Sequence, residues 1–108
     1  MNVAIQGLAA FFRTELHAVY HSLAAIAALI AGYLFEIQPY EWGMIVFAIA
    51  LVFITEITNT LTEKLLDLLH PGYHQKVRQI KDMAAGLVLF AAITAIVTGA
   101  IVFLPYIL

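Results

Sequence analysis

The chain has 108 residues, of which 64% are hydrophobic and 11% charged, and its mean hydropathy is +0.98. Soluble domains average about 45–50% apolar and about 25% charged residues, so this composition indicates a single integral membrane domain, residues 1–108. The absence of cysteine excludes disulfides and thiolate sites. The net charge of −2 argues against a nucleic-acid partner, which requires a basic surface.

The N-terminal segment, about residues 2–17, is predicted to be an amphipathic surface helix. Gln6, Arg13 and His17 share one helical face, and apolar side chains occupy the opposite face, as in helices of the membrane interface. A continuous helix would direct Glu15 into that apolar face. Either the helix is kinked before the first span, or Glu15 is directed at a cation or metal inside the bundle.

Three membrane spans are predicted after this segment, at about residues 18–35, 42–69 with a cytoplasmic extension, and 84–104. The polar link between the first two has no Lys or Arg. All five basic residues lie before the first span or between the second and third: Arg13, Lys64, Lys76, Arg78 and Lys81. The positive-inside rule therefore places the N-terminus and residues 64–83 in the cytoplasm and the C-terminus outside.

The second helix is predicted to end at residues 70–72, because Pro71-Gly72 is a helix-breaking pair. A loop follows over residues 73–80, and Lys81 opens the third membrane helix, which Pro105 ends. Small residues recur along that helix at intervals of four: Ala91, Ala95 and Gly99. This spacing suits close helix contact, either within the chain or at an oligomer seam.

A polar stripe runs along the second membrane helix. Because an α-helix turns by about 100° per residue, its four residues project within a sector about 80° wide: Glu56, Asn59, Glu63 and Asp67. The apolar run over residues 42–55 is too short to cross a bilayer, which needs about 20 residues, so Glu56 lies at the inner edge of the hydrocarbon. A carboxylate at that depth is costly and indicates a functional site.

Three functions would explain the stripe. In metal-assisted phosphoryl transfer, Glu56 would be the base for a lipid alcohol, with Glu63 about 10 Å further along the helix, near metal and phosphate. Lys81 would supply positive charge for phosphate. An ion or proton pathway is the second explanation. The third is a solvated helix extension, which explains Glu63 and Asp67 better than Glu56. Spacing alone does not choose among them.

Two separated motifs agree in order, spacing and topology with those of a known family. Residues 56–67 read E-x-x-N-[ST]-x-x-E-x-x-x-D, and residues 81–86 read K-D-M-A-A-G. His74 stands where the family has a loop histidine, and Glu15 with His21 fits its E-x-N-x-x-x-H motif. Over nearly its whole length the chain resembles the small prokaryotic diacylglycerol kinases and undecaprenol kinases.

The resemblance implies an all-α membrane lipid kinase with a surface helix and three transmembrane helices per subunit, assembled as a homotrimer with shared active sites. ATP would be the co-substrate and Mg²⁺ the metal that bridges its phosphates. Glu56 would be the catalytic base, and Glu15 and Glu63 the metal ligands. The nucleotide site would consist of these two metal ligands together with six further residues: Asn59, Gly72, Tyr73, His74, Lys81 and Asp82. Asp67 would be structural.

The resemblance also suggests the lipid and the location. Asn59-Thr60, Ala85-Gly86 and residues 101–105 favour the undecaprenol kinase branch in a bacterial inner membrane, with diacylglycerol kinase as the alternative. A non-catalytic membrane protein or an ion pathway is the rival of another class.

The chain also departs from the family pattern. His17 replaces an Asn, Leu61-Thr62 replaces a typical Ala-Ile pair, and the family's upstream nucleotide contacts have no counterpart, so altered ATP affinity is expected. His17 and His21 at i, i+4 are a further, weaker candidate for a transition-metal site.

Overall fold

The computed structural model describes residues 2–108; Met1 of the predicted domain lies outside the described residues. This part of the chain forms four helices: α1 (Asn2–Thr14), α2 (Leu16–Phe35), α3 (Pro39–Leu69) and α4 (Gln75–Ile107). By length and composition, α2, α3 and α4 are each able to cross a membrane. The predicted all-α membrane fold with an N-terminal helix and three spans is therefore confirmed.

The surface helix and the first span are separate helices, because the backbone of Glu15 is extended, with φ −103° and ψ 115°. The assumption of a continuous helix through Glu15 is wrong, and α1 ends at Thr14, short of the predicted residue 17. The ring of Phe12 packs on Phe53 of α3, with centroids 5.4 Å apart. This contact holds α1 against α3 at Phe53, which precedes Glu56 by three residues.

A tight turn over residues 36–38 joins α2 to α3, and this side of the bundle is called the turn end. Glu36 adopts a left-handed conformation (φ 52°), and its N–H bonds to the carbonyl oxygen of Gly32. α3 begins at Pro39, before the predicted residue 42, as suits proline at a first helical position. The Gln38 N–H donates to the Glu41 carboxylate over 2.9 Å. These bonds satisfy backbone groups that helix ends leave unpaired.

The buried core lies at the turn end, where α3 and α4 pack together. Ile37, Ile45 and Val102 form its centre. The Tyr106 hydroxyl donates to the carboxylate of Glu41, which is 7% exposed. This contact joins the start of α3 to the end of α4.

α4 extends beyond the predicted span of residues 84–104 in both directions. It begins at Gln75, so the predicted loop over residues 73–80 is wrong from that position onward, and Lys81 lies inside the helix. Pro105 also lies inside α4 instead of ending it. A helix of 33 residues is about 50 Å long, whereas the hydrocarbon core is about 30 Å thick. The helix therefore projects well beyond a membrane at the loop end, the side that carries residues 70–74.

The small residues of α4 do not form one packed seam within the chain. Ala91 is 2% exposed. A Cβ atom added at Gly86 or Gly99 would meet nothing within 4 Å. Ala91 is therefore the only residue of the series that is fully buried within the described chain, whereas Ala95 and Gly99 are partly buried.

Candidate active site

A buried carboxylate on α3 forms the centre of the candidate site. Glu56 follows Pro39 by 17 residues, which places it about 26 Å along the helix, near the far edge of a bilayer core about 30 Å thick. The residue is 6% exposed. The Nε2 atom of His21, on α2, lies 2.7 Å from its Oε1 atom. Burial of a carboxylate without a hydrogen-bond partner costs free energy, and His21 supplies that partner.

Of the other polar side chains near this carboxylate, two form hydrogen bonds within α3 and one has a buried oxygen without a hydrogen bond. The hydroxyls of Thr55 and Thr58 donate to backbone carbonyls of the same helix, over 2.9 and 2.7 Å. The Oδ1 atom of Asn59 is buried and has no hydrogen-bond partner within residues 2–108. A buried acceptor left unpaired costs about 1–3 kcal/mol, so this oxygen is suited to a ligand or to a donor from another chain.

An ion pair joins α3 to α4 nearer the loop end. The Nζ atom of Lys81 lies 2.6 Å from Oδ1 of Asp67, and the two side chains are 27% and 63% exposed. Asp82 pairs with Arg78 over 3.4 Å on the surface of α4. Exposed pairs contribute only about 0–1 kcal/mol to stability, so the Asp67 contact matters more for the direction of the Lys81 ammonium than for the fold.

The two predicted metal ligands do not form a ready-made metal cage. Glu15 is half-buried and makes no capping hydrogen bond, and Glu63 is exposed on α3. Within residues 2–108 no three His, Cys, Asp or Glu residues are grouped to hold a metal ion. Mg²⁺ usually takes one or two carboxylates and completes its shell with water and phosphate oxygens. The donors therefore fit Mg²⁺ held together with a nucleotide.

The α3–α4 connection carries three residues predicted for the nucleotide site. Gly72, Tyr73 and His74 are all exposed. His74 caps α4, since its Nδ1 atom accepts the N–H of Lys76 over 3.1 Å. His70 closes the other end of the connection: its Nδ1 atom lies 3.0 Å from the carbonyl oxygen of Gly72.

An apolar groove of about 360 Å³ lies between α2, α3 and α4 and extends to His21. Small side chains from each helix leave this space open, among them Ala28, Ala48 and Ala95. Phe53 also lines the groove, one turn before Glu56. The groove therefore leads from the apolar interior toward the buried carboxylate.

Comparison with known proteins gives the family. The profile described as "Prokaryotic diacylglycerol kinase" matches residues 2–103. The chain belongs to the prokaryotic diacylglycerol kinase family. Membership makes it a membrane lipid kinase that uses a nucleotide co-substrate, and it favours phosphoryl transfer as the role of the polar stripe over an ion pathway or a solvated helix.

Three relatives to which the chain is similar carry the names of two kinds of lipid kinase. It is 38% identical to the undecaprenol kinase of Bacillus subtilis over 93 residues, which are 86% of this chain and 76% of that protein. It is 32% identical to a diacylglycerol kinase of Synechocystis over 100 residues, 92% of this chain and 57% of that protein. The diacylglycerol kinase of Escherichia coli is 27% identical over 96 residues, 89% and 79% of the two chains.

For a kinase of this family, the structure groups the predicted residues unevenly. Glu56 lies deep beside His21, and half-buried Asn59 follows it by one turn. Glu15 lies half-buried at the break before α2, and the other nucleotide-site candidates lie on the extensions of α3 and α4 and on the connection. His21 is absent from the residues predicted for the site, although the E-x-N-x-x-x-H motif contains it. His70 is absent too, and no motif signals it. Within residues 2–108 no third His, Cys, Asp or Glu joins His17 and His21 in a group able to hold a metal ion, so the weaker transition-metal candidate gains no support.

Proposed function

We propose that this kinase transfers the γ-phosphoryl group of ATP to undecaprenol, with Mg²⁺, and so forms undecaprenyl phosphate. The observation that carries the proposal is the buried Glu56 carboxylate, held by His21 beside an apolar groove. A lipid alcohol whose chain occupies the groove would bring its hydroxyl to this carboxylate. Beyond Glu56, α3 continues as a polar extension, and a water-soluble nucleotide would reach the lipid hydroxyl from that side.

Glu56 is proposed to act as the general base. One of its oxygens, Oε1, is held by His21, which leaves Oε2 to take the proton from the lipid hydroxyl. The hydroxyl oxygen forms a bond to the γ-phosphorus as the bond from that phosphorus to the ADP oxygen breaks. The proton remains on Glu56 until water removes it. The hydrogen bond from the imidazole orients the carboxylate and stabilises its charge.

The nucleotide is proposed to bind on the extensions of α3 and α4. Lys81 would place a positive charge against the phosphates, with its ammonium directed by Asp67. The unpaired Oδ1 of Asn59 would accept a hydrogen bond from a water bound to Mg²⁺, because phosphate oxygens themselves only accept. The further proposed contacts are Gly72, Tyr73, His74 and Asp82.

Glu15 and Glu63 are proposed to hold Mg²⁺ together with phosphate oxygens. Their donor atoms are oxygens, which this hard cation prefers, and Glu15 is not engaged in capping its helix. When bound, the metal would neutralise charge on the phosphates during transfer. Glu15 lies at the break before α2, where its side chain is half-buried.

A homotrimer with shared active sites is part of the proposal. Large apolar side chains are exposed along all three spans, and lipid or partner subunits must cover them. The buried Oδ1 atom of Asn59, which has no partner within residues 2–108, is also suited to a donor from another subunit. The distribution of Lys and Arg supports an inner-membrane protein with residues 64–83 in the cytoplasm, where ATP is available.

Diacylglycerol is the second candidate acceptor, because two of the relatives are diacylglycerol kinases. Undecaprenol is preferred because the undecaprenol kinase has the higher identity, 38% against 32% and 27%. Both lipids present a hydroxyl attached to long apolar chains, so Glu56 would serve either.

The test is transfer of labelled γ-phosphate from ATP by the purified chain in lipid bicelles with Mg²⁺, with undecaprenol and diacylglycerol offered in parallel. Label should enter undecaprenol, and Glu56→Gln should reduce kcat about 10²- to 10⁴-fold, the usual contribution of a general base. Glu41→Gln is the matched control, because Glu41 is the buried carboxylate of α3 at the opposite end. Label in diacylglycerol alone would reverse the choice of lipid, and full activity of Glu56→Gln would overturn the base.

A further inference from the structure

The α3–α4 connection is held in shape by two histidines. His70 follows the last residue of α3, and its side chain bonds across the turn to the carbonyl oxygen of Gly72 over 3.0 Å. His74 precedes the first residue of α4 and caps that helix through the N–H of Lys76. The two imidazole rings pack edge to face, with centroids 5.1 Å apart and planes at 70°.

The hydrogen bonds assign opposite tautomers to the two rings. A carbonyl oxygen only accepts, so Nδ1 of His70 carries a proton. The N–H of Lys76 only donates, so Nδ1 of His74 is unprotonated, and the proton of its neutral ring lies on Nε2. His74 therefore presents a donor on Nε2, the atom that the cap leaves free, and phosphate oxygens accept such bonds.

Neither backbone conformation nor packing requires glycine at position 72. No glycine in the described chain has a positive φ, and a Cβ atom added at Gly72 would meet nothing within 4 Å. Among the side-chain hydrogen bonds within residues 2–108, the one from His70 is the only one that reaches Gly72.

We propose that His70 is a positioning residue for the nucleotide. It fixes the carbonyl of Gly72 and restrains the ring of His74, so that the Nε2–H donor of His74 meets the nucleotide with little loss of entropy. This inference rests on the proposed function, in which Gly72, Tyr73 and His74 contact ATP. His70 itself does not touch the reacting atoms.

The test compares wild type with His70→Ala, His70→Asn and His70→Gln in the bicelle assay, with MgATP and lipid varied separately. Asn places an N–H donor at nearly the position of Nδ1, whereas the Gln amide lies one methylene further out. One lost hydrogen bond should raise KM for ATP about three- to tenfold in His70→Ala, with kcat and KM for the lipid unchanged. His70→Asn should restore KM, and His70→Gln should not.

Binding of trinitrophenyl-ATP, measured by fluorescence, should follow the same order. A wild-type KM for ATP in His70→Ala, or an Asn variant as weak as the Gln variant, would overturn the positioning role. A purely structural role would lower the melting temperature and change kcat and both KM values together, which also overturns it. Wild-type protein that transfers no phosphate from ATP to either lipid would instead overturn the proposed function, and the positioning role with it.

Discussion

His21 is the residue that makes a buried carboxylate at position 56 tolerable. A carboxylate taken out of water loses several kcal/mol of solvation unless charge-assisted hydrogen bonds replace it. The 2.7 Å contact supplies one such bond from a neighbouring helix. The same bond leaves one carboxylate oxygen available for a proton. His21 is therefore expected to matter for turnover as well as for folding.

His21→Ala should lower kcat about 10- to 100-fold, because hydrogen bonds to charged groups contribute about 1.5–3 kcal/mol. KM for ATP should change little, since the imidazole lies on the lipid side of the site. His21→Gln, whose amide keeps a donor, should retain more activity than His21→Ala. Steady-state kinetics in bicelles measure this, and equal kcat for His21→Ala and wild type would show that Glu56 needs no partner.

Gly32 illustrates a packing constraint at a single residue. A Cβ atom there would lie 2.8 Å from the Trp42 ring and 3.1 Å from Ile37 Cδ1. Gly32→Ala should therefore lower the free energy of unfolding by about 1–3 kcal/mol, through displacement of that ring. Gly43→Ala is the matched control: nothing lies within 4 Å, and Ala favours helix by up to about 1 kcal/mol. Thermal unfolding in detergent compares them, and equal melting temperatures would contradict the close approach.

At the level of elements, the proposed function divides the lipid and the nucleotide between different parts of the helices. Small residues on α2, α3 and α4 leave the apolar groove open, whereas the extensions of α3 and α4 carry the charged groups. The division follows from length: α3 and α4 have 31 and 33 residues, more than the roughly 20 that cross a bilayer. The groove should therefore determine lipid preference without affecting ATP.

Ala95→Leu should fill part of the groove and lower kcat/KM for undecaprenol, with a smaller effect on a short-chain prenol and none on KM for ATP. A loss of about tenfold corresponds to about 1.4 kcal/mol of lost chain contact. Ala91→Leu is the contrasting variant: Ala91 is 2% exposed, so a larger side chain should destabilise the protein by about 1–3 kcal/mol instead. Equal losses for long and short alcohols in Ala95→Leu would show that the chain binds elsewhere.

At the level of the whole molecule, the proposed homotrimer would contribute to the site and cover the apolar surface of the spans. Glu15 and Glu63 form no three-ligand group with other residues of the described chain, and Asn59 Oδ1 has no partner there. Large apolar side chains face outward along every span. A closed homotrimer would account for these observations together, because each interface repeats the same contacts around the axis.

Complementation between two inactive variants tests whether sites are shared. Glu15→Gln and Glu63→Gln should each be nearly inactive, but co-expressed subunits should regain activity. If Glu15 and Glu63 of one site come from different subunits, roughly a quarter of the sites in random mixtures are intact. The measurement is specific activity of co-purified, differently tagged subunits. No activity at any mixing ratio would place both carboxylates of a site in the same subunit.

The all-α membrane class and the polar stripe follow from the sequence by itself, because composition and helical periodicity are local properties. The family also follows from the sequence, through the motifs at residues 56–67 and 81–86. The stripe from Glu56 to Asp67 needs only a continuous helix, and the structure has one over Pro39–Leu69. Helix ends were less predictable. α4 begins beside the cap that His74 makes, and the break before α2 lies at the extended backbone of Glu15, and helical periodicity signals neither.

Only the tertiary structure decided which side chains meet. The pairing of His21 with Glu56, that of Lys81 with Asp67 and the position of the groove each depend on how two or three helices cross and rotate against one another. Periodicity gives the face of one helix on which a residue lies but not the helix that this face contacts. The sequence therefore determined what chemistry the chain carries, and helix packing decided where that chemistry is assembled.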